Sequence, residues 1–281
     1  SAASDVYKRQ SYDIWDADLR KKTQDDLVRM VLVEPADEVY RFANSMRLDL
    51  HPLRIMWVIC PSPAEKYTYG SADRANIKYE IKKHLRANRK TGIVDTFDNS
   101  VVAFMNDDKY LEFDKDLCES LTKYLQEQYP GMILTWCGAL DSITDAKRAY
   151  LLLEEYFPTA CAIYAHKTVL TQRELSFAGN CHDTLHGAAV LPEKYRLILK
   201  PLQGRDEKTA IDTLSAYLID ADKNIAAAAK YLHVHESTVK YRLNNIKRKL
   251  GYDIAEMPGV YSLYKALALN RLLHARNNIK Y

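Results

Sequence analysis

The chain has 281 residues, 47% of them hydrophobic and 27% charged, the mix expected of a globular protein of about two domains. That mix excludes collagen-like, low-complexity and wholly disordered chains, and no apolar run approaches the roughly 18 residues of a membrane-spanning helix. The net charge of +3 hides an asymmetry: from Asn224 to Tyr281 ten Lys or Arg face three acids (Glu236, Asp253 and Glu256), leaving 30 basic and 34 acidic residues elsewhere. A basic end on a mildly acidic body fits a module that meets a polyanion; a solvated helical surface is the alternative.

No N-terminal segment has the order of a signal peptide. Asp5-Val6-Tyr7-Lys8-Arg9-Gln10 is what a transposase end sequence used in sequencing libraries encodes. Residues 1–10 are therefore read as adapter read-through, which predicts a longer natural chain with an upstream domain; a natural N-terminus of this sequence is the alternative. Cys60, Cys118, Cys137, Cys161 and Cys181 are scattered, odd in number and without C-x-x-C spacing. They read as reduced thiols of a cytoplasmic protein, not as a disulfide framework or zinc site.

In chain order, 24–48 reads as a helix with a break at Pro35, inside a helical remnant or linker over 11–51. Leu53–Cys60 is a strand stopped by Pro61-Ser62-Pro63. A helix over 72–88 carries Ile77, Ile81 and Leu85 on one face. Gly92–Phe97 and Val101–Met105 form a hairpin about Asp98-Asn99-Ser100. Residues 114–128 are helical, Ile133–Cys137 is a strand, and a helix over Ser142–Phe157 is expected to stop at Pro158. Ala160–Tyr164 is expected as a last strand. The fold class over 52–165 is thus α+β, with helices expected on one face of the sheet. Residues 166–204 read as a partly helical connector, and 205–281 as an all-α domain.

That last domain carries the functional signal. Ile225, Ala228, Ala229 and Leu232 form an apolar stripe on a short helix capped by Asn224. His233-Val234-His235 makes a turn. Ser237 is expected to cap a second helix over 237–250, striped by Val239, Leu243, Ile246 and Leu250 and ended by Gly251. Two short helices about a three-residue turn are a helix-turn-helix. The other face of the second helix is cationic and holds no acid. Lys240, Tyr241, Asn244 and Asn245 are candidates for base edges. Ser237, Thr238, Arg242, Lys247 and Arg248 are candidates for phosphates. An ordinary basic helix packed in a bundle is the alternative.

The run from Asn224 through Ala228-Ala229, Leu232-His233-Val234-His235, Thr238-Val239-Lys240-Tyr241-Arg242-Leu243 and Ile246 resembles the C-terminal domain of the PucR/CdaR family. These are bacterial regulators of purine catabolism and sugar diacid use. Leu214, Tyr217 and Leu218 resemble the family's preceding helix, and Gly251-Tyr252-Asp253 with Leu263 and Ala266–Leu269 its closing helix. The likeness covers about 75 residues, and a looser one links the segment to the Fis-type helix-turn-helix. The resemblance implies transcription regulation through duplex DNA; a helix-turn-helix protein is further expected to act as a homodimer. An effector is expected to act on the upstream domain.

The middle element order resembles the degenerate GGDEF-like (ferredoxin-like) domain of the same family. A working cyclase needs glycines for nucleotide approach and acids for Mg²⁺. Here the hairpin reads Asp98-Asn99-Ser100-Val101, so the expectation is a relay or dimerisation module without enzymatic activity. A nucleotide-binding or cyclase-related signalling protein is the alternative reading, and a helical protein-interaction module a third. No cofactor or metal is expected: Cys181, His182 and His186 lie close in sequence but lack further ligands. Cys161 has no evident base beside it.

Overall fold

The computed structural model describes residues 26–47, 50, 54–65, 68–90, 92–105 and 113–278. The expectation for residues 1–10 lies outside them. The helix expected over 24–48 is observed as two, α1 over 26–33 and α2 (Ala36–Ser45), separated at Pro35. Proline lacks the N–H that would continue the first helix, yet suits the start of the next.

A five-stranded sheet follows. Its elements are β1 (Ile55–Pro61), α3 (Ser71–Ala87), β2 (Gly92–Phe97), β3 (Ser100–Met105), α4 (Lys115–Gln128), β4 (Met132–Cys137) and β5 (Val169–Thr171). The strand order is β2-β3-β1-β4-β5. The first three pairings are antiparallel and β4·β5 is parallel. The run β1-α3-β2-β3-α4-β4 is the split β-α-β arrangement of ferredoxin-like sheets. Trp57 lies between Ala103 and Trp136 in register, and its indole N–H is buried without a partner among the described residues.

One face of the sheet carries Ile55, Trp57, Ile59 and Leu134 against Ile77, Ile81 and Leu85 of α3 and Leu121 and Leu125 of α4. Each such side chain contributes about 1.5–3 kcal/mol when fully buried. The helices do not keep to that face. Met56, Val58, Val102, Phe104 and Cys137 on the other face are buried as well. There α5 (Ile143–Ile163) sets Tyr150 against Phe97, ring centroids 5.3 Å apart. The unbroken apolar run of β1 is what a strand covered on both sides requires, whereas a half-exposed strand would alternate.

A second correction concerns α5. It does not stop at Pro158, which lies in its interior, and Ala160–Ile163 is helix, not strand. Phe157, Ala160 and Ile163 are buried around the proline, and this burial offsets a helix penalty of about 3 kcal/mol. The last strand is instead the three-residue β5, too short to show a period.

The chain divides into two compact units. The first takes the described residues up to Glu154 with Thr168–Gln172; the second takes Glu155–Lys167 and the chain from Arg173 onward. The second unit is helical: most of α6 (Gln172–Thr184), then α7 (Glu193–Leu199), α8 (Glu207–Ser215), α9 (Ile225–Leu232), α10 (Glu236–Leu250) and α11 (Gly259–Asn278). The helices over 172–204 thus pack with the C-terminal unit. An α+β region followed by an all-helical region is the fold class expected. α11 is itself buried through Leu263, Ala266, Leu267, Ala268, Leu269 and Leu272, as befits a helix at the centre of a bundle.

α8 continues into a π-helical turn, Ala216–Asp220, where the Ala221 N–H donates to the Ala216 carbonyl at 2.9 Å. That turn delivers Asp220 inward, its side chain 2% exposed. Arg271 of α11 grips it with two hydrogen bonds of 2.8 and 2.7 Å, and donates a third to the Ile163 carbonyl at 2.6 Å. Removing one partner of a buried pair strands the other charge. Arg271→Ala should therefore lower stability by about 3–5 kcal/mol, read as a reduced urea midpoint. Asp220→Asn/Arg271→Met should lose less than the single substitution.

Candidate nucleic-acid interface

The turn after α8 sets up α9. Asp222 and Lys223 both adopt left-handed backbone, φ 47° and 68°. Asp222 is held by Lys167 at 3.2 Å, which also pairs with Glu174 at 2.7 Å. Burial works against the Lys167 charge, but these two carboxylates more than offset it and raise its pKa. Asn224 then caps α9, its side chain accepting from the Ala227 N–H at 3.0 Å. Ala228 and Ala229 are buried, and their small side chains let α10 approach closely.

The link between the helices is tightly bonded. Val234 N–H donates to Ala229 and His233 N–H to Lys230, at 3.1 and 3.2 Å. This is the paired pattern that closes a helix with a left-handed residue, here His233 at φ 52°. Ser237 is not the cap of α10. That place belongs to His235, whose Nδ1 accepts from the Ser237 N–H at 3.2 Å and lies 2.8 Å from its hydroxyl. An imidazole nitrogen serves the N-terminal N–H groups as a hydroxyl would, and Ser237 falls in the first turn. At the other end Gly251 takes φ 79°, where a side chain would be strained. Glu236 at the start and Lys247, Arg248 and Lys249 at the end complement the helix dipole.

Val239, Leu243 and Ile246 of α10 are buried. The residues diametrically opposite, at 100° per residue, are Ser237, Tyr241, Asn244 and Arg248, all exposed. Tyr241 is 66% exposed, an unusual fraction for an aromatic ring with no packing role. The remaining candidates lie on the flanks. Lys240 is exposed and Lys247 half-buried on one; Thr238, Arg242 and Asn245 are half-buried on the other. Lys247 is ion-paired with Asp253, and Arg248 donates to Asn245. Arg242 and Asn245 line a groove of about 560 Å³ beside α8, together with Asp206, Thr209 and Lys249. The α8 residues escape a sequence reading because some thirty residues separate them from α10 and no local period couples the two.

The other sequence candidates gather no site. Ser100 and Val101 of the β2–β3 hairpin are buried, and Ser100 Oγ donates to the Phe97 carbonyl at 2.8 Å. No group of three metal-ligating side chains occurs among the described residues. Burial pushes the thiols of Cys118, Cys137 and Cys181 up to about 12, so they stay protonated near neutral pH. No helix among the described residues is long and apolar enough to cross a membrane.

Residues 210–269 match the family model of the PucR C-terminal helix-turn-helix domain. The PucR match spans the end of α8, α9, α10 and the buried half of α11. A crystal structure of a regulator of polyketide synthase expression from Bifidobacterium adolescentis aligns over 90% of this chain and 94% of its own, at 19% identity and a TM-score of 0.40. No curated protein matches the chain significantly.

The Lys247–Asp253 pair closes the PucR-type α10 onto the loop that follows it. The hydrogen bond from Lys247, with one from the Ala255 N–H, holds the Asp253 carboxyl below its ordinary 3.8. A depressed carboxyl stabilises the fold above its ordinary value, and that contribution is lost as pH falls through the lower folded value. Lys247→Ala should bring Asp253 back toward 3.8 in an NMR-detected carboxyl titration.

Proposed function

We propose that this chain is a DNA-binding transcriptional regulator whose output module is the C-terminal helix-turn-helix, with α10 lying in the major groove of duplex DNA. The observation that carries the reading is the outer surface of α10. It exposes Lys240, Tyr241, Asn244 and Arg248 with no acid between Ser237 and Leu250. An α-helix with its side chains is about 10–12 Å wide, and the major groove about 12 Å. The PucR match supports the same reading.

Within it, Tyr241, Asn244, Asn245 and Lys240 are the residues for base edges. Ser237, Thr238, Arg242, Arg248 and Lys247 are the residues for phosphates, Lys247 the weakest because Asp253 neutralises it. The sheet of the first unit acts as a GGDEF-like relay or dimerisation module without catalysis. The protein works in the cytoplasm as a homodimer on two half-sites.

Fluorescence anisotropy of the full chain on labelled duplex DNA across a salt series tests this. Binding should weaken steeply with salt. Lys240→Ala/Arg242→Ala should weaken binding and lower the slope of log K against log salt by about one, for the Arg242 phosphate contact. No binding at low salt by the folded chain would overturn the reading.

A further inference from the structure

The groove between α8 and α10 carries more cations than acids. Its α10 wall presents Arg242, Arg248 and Lys249; its α8 wall presents Thr209 and a single acid, Asp206. Arg242 and Lys249 have no ion-pair partner among the described residues, whereas Lys247 on the opposite flank is bound by Asp253. Three like charges along two turns of one helix make the groove a favourable place for an anion.

The position of the groove selects the anion. Its Arg242, Asn245 and Lys249 lie about a quarter-turn around α10 from the outward stripe of Ser237, Tyr241, Asn244 and Arg248, of which Tyr241 and Arg248 form the outer edge of the groove. A helix seated in a major groove points such a stripe at base edges and presents its flanks to the two rows of phosphates. We propose that this groove seats the sugar–phosphate backbone of one DNA strand. Arg242, Lys249 and the Thr209 hydroxyl hold its phosphates, and Asp206 opposes them.

The assignment rests on the DNA-binding reading above and sharpens it. It adds α8 to the DNA surface and makes Lys249 and Thr209 contacts. It also moves Asn245, which accepts from Arg248, from base reading toward the backbone. Asp206 becomes a residue whose neutralisation improves binding. Asp206 flanks the start of α8 with its side chain making no cap hydrogen bond, so Asn can replace it without loss of helix capping.

The test uses the full chain, labelled duplexes of random sequence and the same salt series. Lys249→Ala should lower the salt slope by about one and weaken binding alike on every duplex. Thr209→Ala should weaken binding by about tenfold to a hundredfold, the loss of one hydrogen bond to a charged group. Asp206→Asn should tighten it severalfold, the gain shrinking as salt rises. Arg196→Ala, on α7 and ion-paired with Glu193, should leave the slope unchanged. If Lys249→Ala fails to fold by circular dichroism, Lys249→Gln replaces it. Wild-type binding that neither Lys249→Ala nor Asp206→Asn alters overturns the groove assignment while leaving the DNA-binding reading intact. Wild-type protein that does not bind duplex at all overturns both.

Discussion

The C-terminal unit depends on one guanidinium. Arg271 reaches from the central helix α11 to the carboxylate of Asp220 and to the Ile163 carbonyl. It thereby fixes three segments far apart in sequence: the end of α5, the π-helical turn that introduces the helix-turn-helix, and α11 itself. The planar fork satisfies both carboxylate oxygens and a carbonyl at once, which a lysine ammonium cannot match in geometry. Without the π-helical turn, Asp220 would face a different direction and the pair could not form.

This interaction also changes how the basic tail is to be understood. The excess of cations after Asn224 suggests a uniformly positive surface, but several of those charges are spent within the fold. Arg271 serves Asp220, Lys247 serves Asp253, and Lys265, 8% exposed, donates to Asn180 and lies over the Tyr195 ring. What is left for a polyanion among the described residues is a smaller set, Lys230 on α9 and the cations of α10. Local arrangement, more than net charge, makes this surface a candidate for DNA.

Much of this architecture was legible in the residues. The stripes of α9 and α10 have the helical period, Asn224 and Gly251 mark their ends, and Leu53–Cys60 and Ile133–Cys137 are compact apolar runs. What escaped has physical causes. The extension of α5 past Pro158 is driven by tertiary burial, which overrides a local breaker. β5 is three residues long and exists because β4 offers it an edge. The His235 cap depends on an imidazole lone pair that residue preferences do not single out. Which flank of α10 meets α8 is decided by long-range packing, and this is why the division of its side chains between bases and phosphates could not be read from the periodic pattern.

The placement of Trp57 and Trp136 on neighbouring strands has a spectroscopic corollary. All three tryptophans of the chain, Trp15 included, precede Glu155, and the helical C-terminal unit contains none. Indole emission is therefore a reporter confined to the sheet and the segments before it, while the helix-turn-helix is dark in that channel and visible only through its tyrosines. Any change in indole fluorescence on adding a partner for α10 would be a signal carried from one unit to the other.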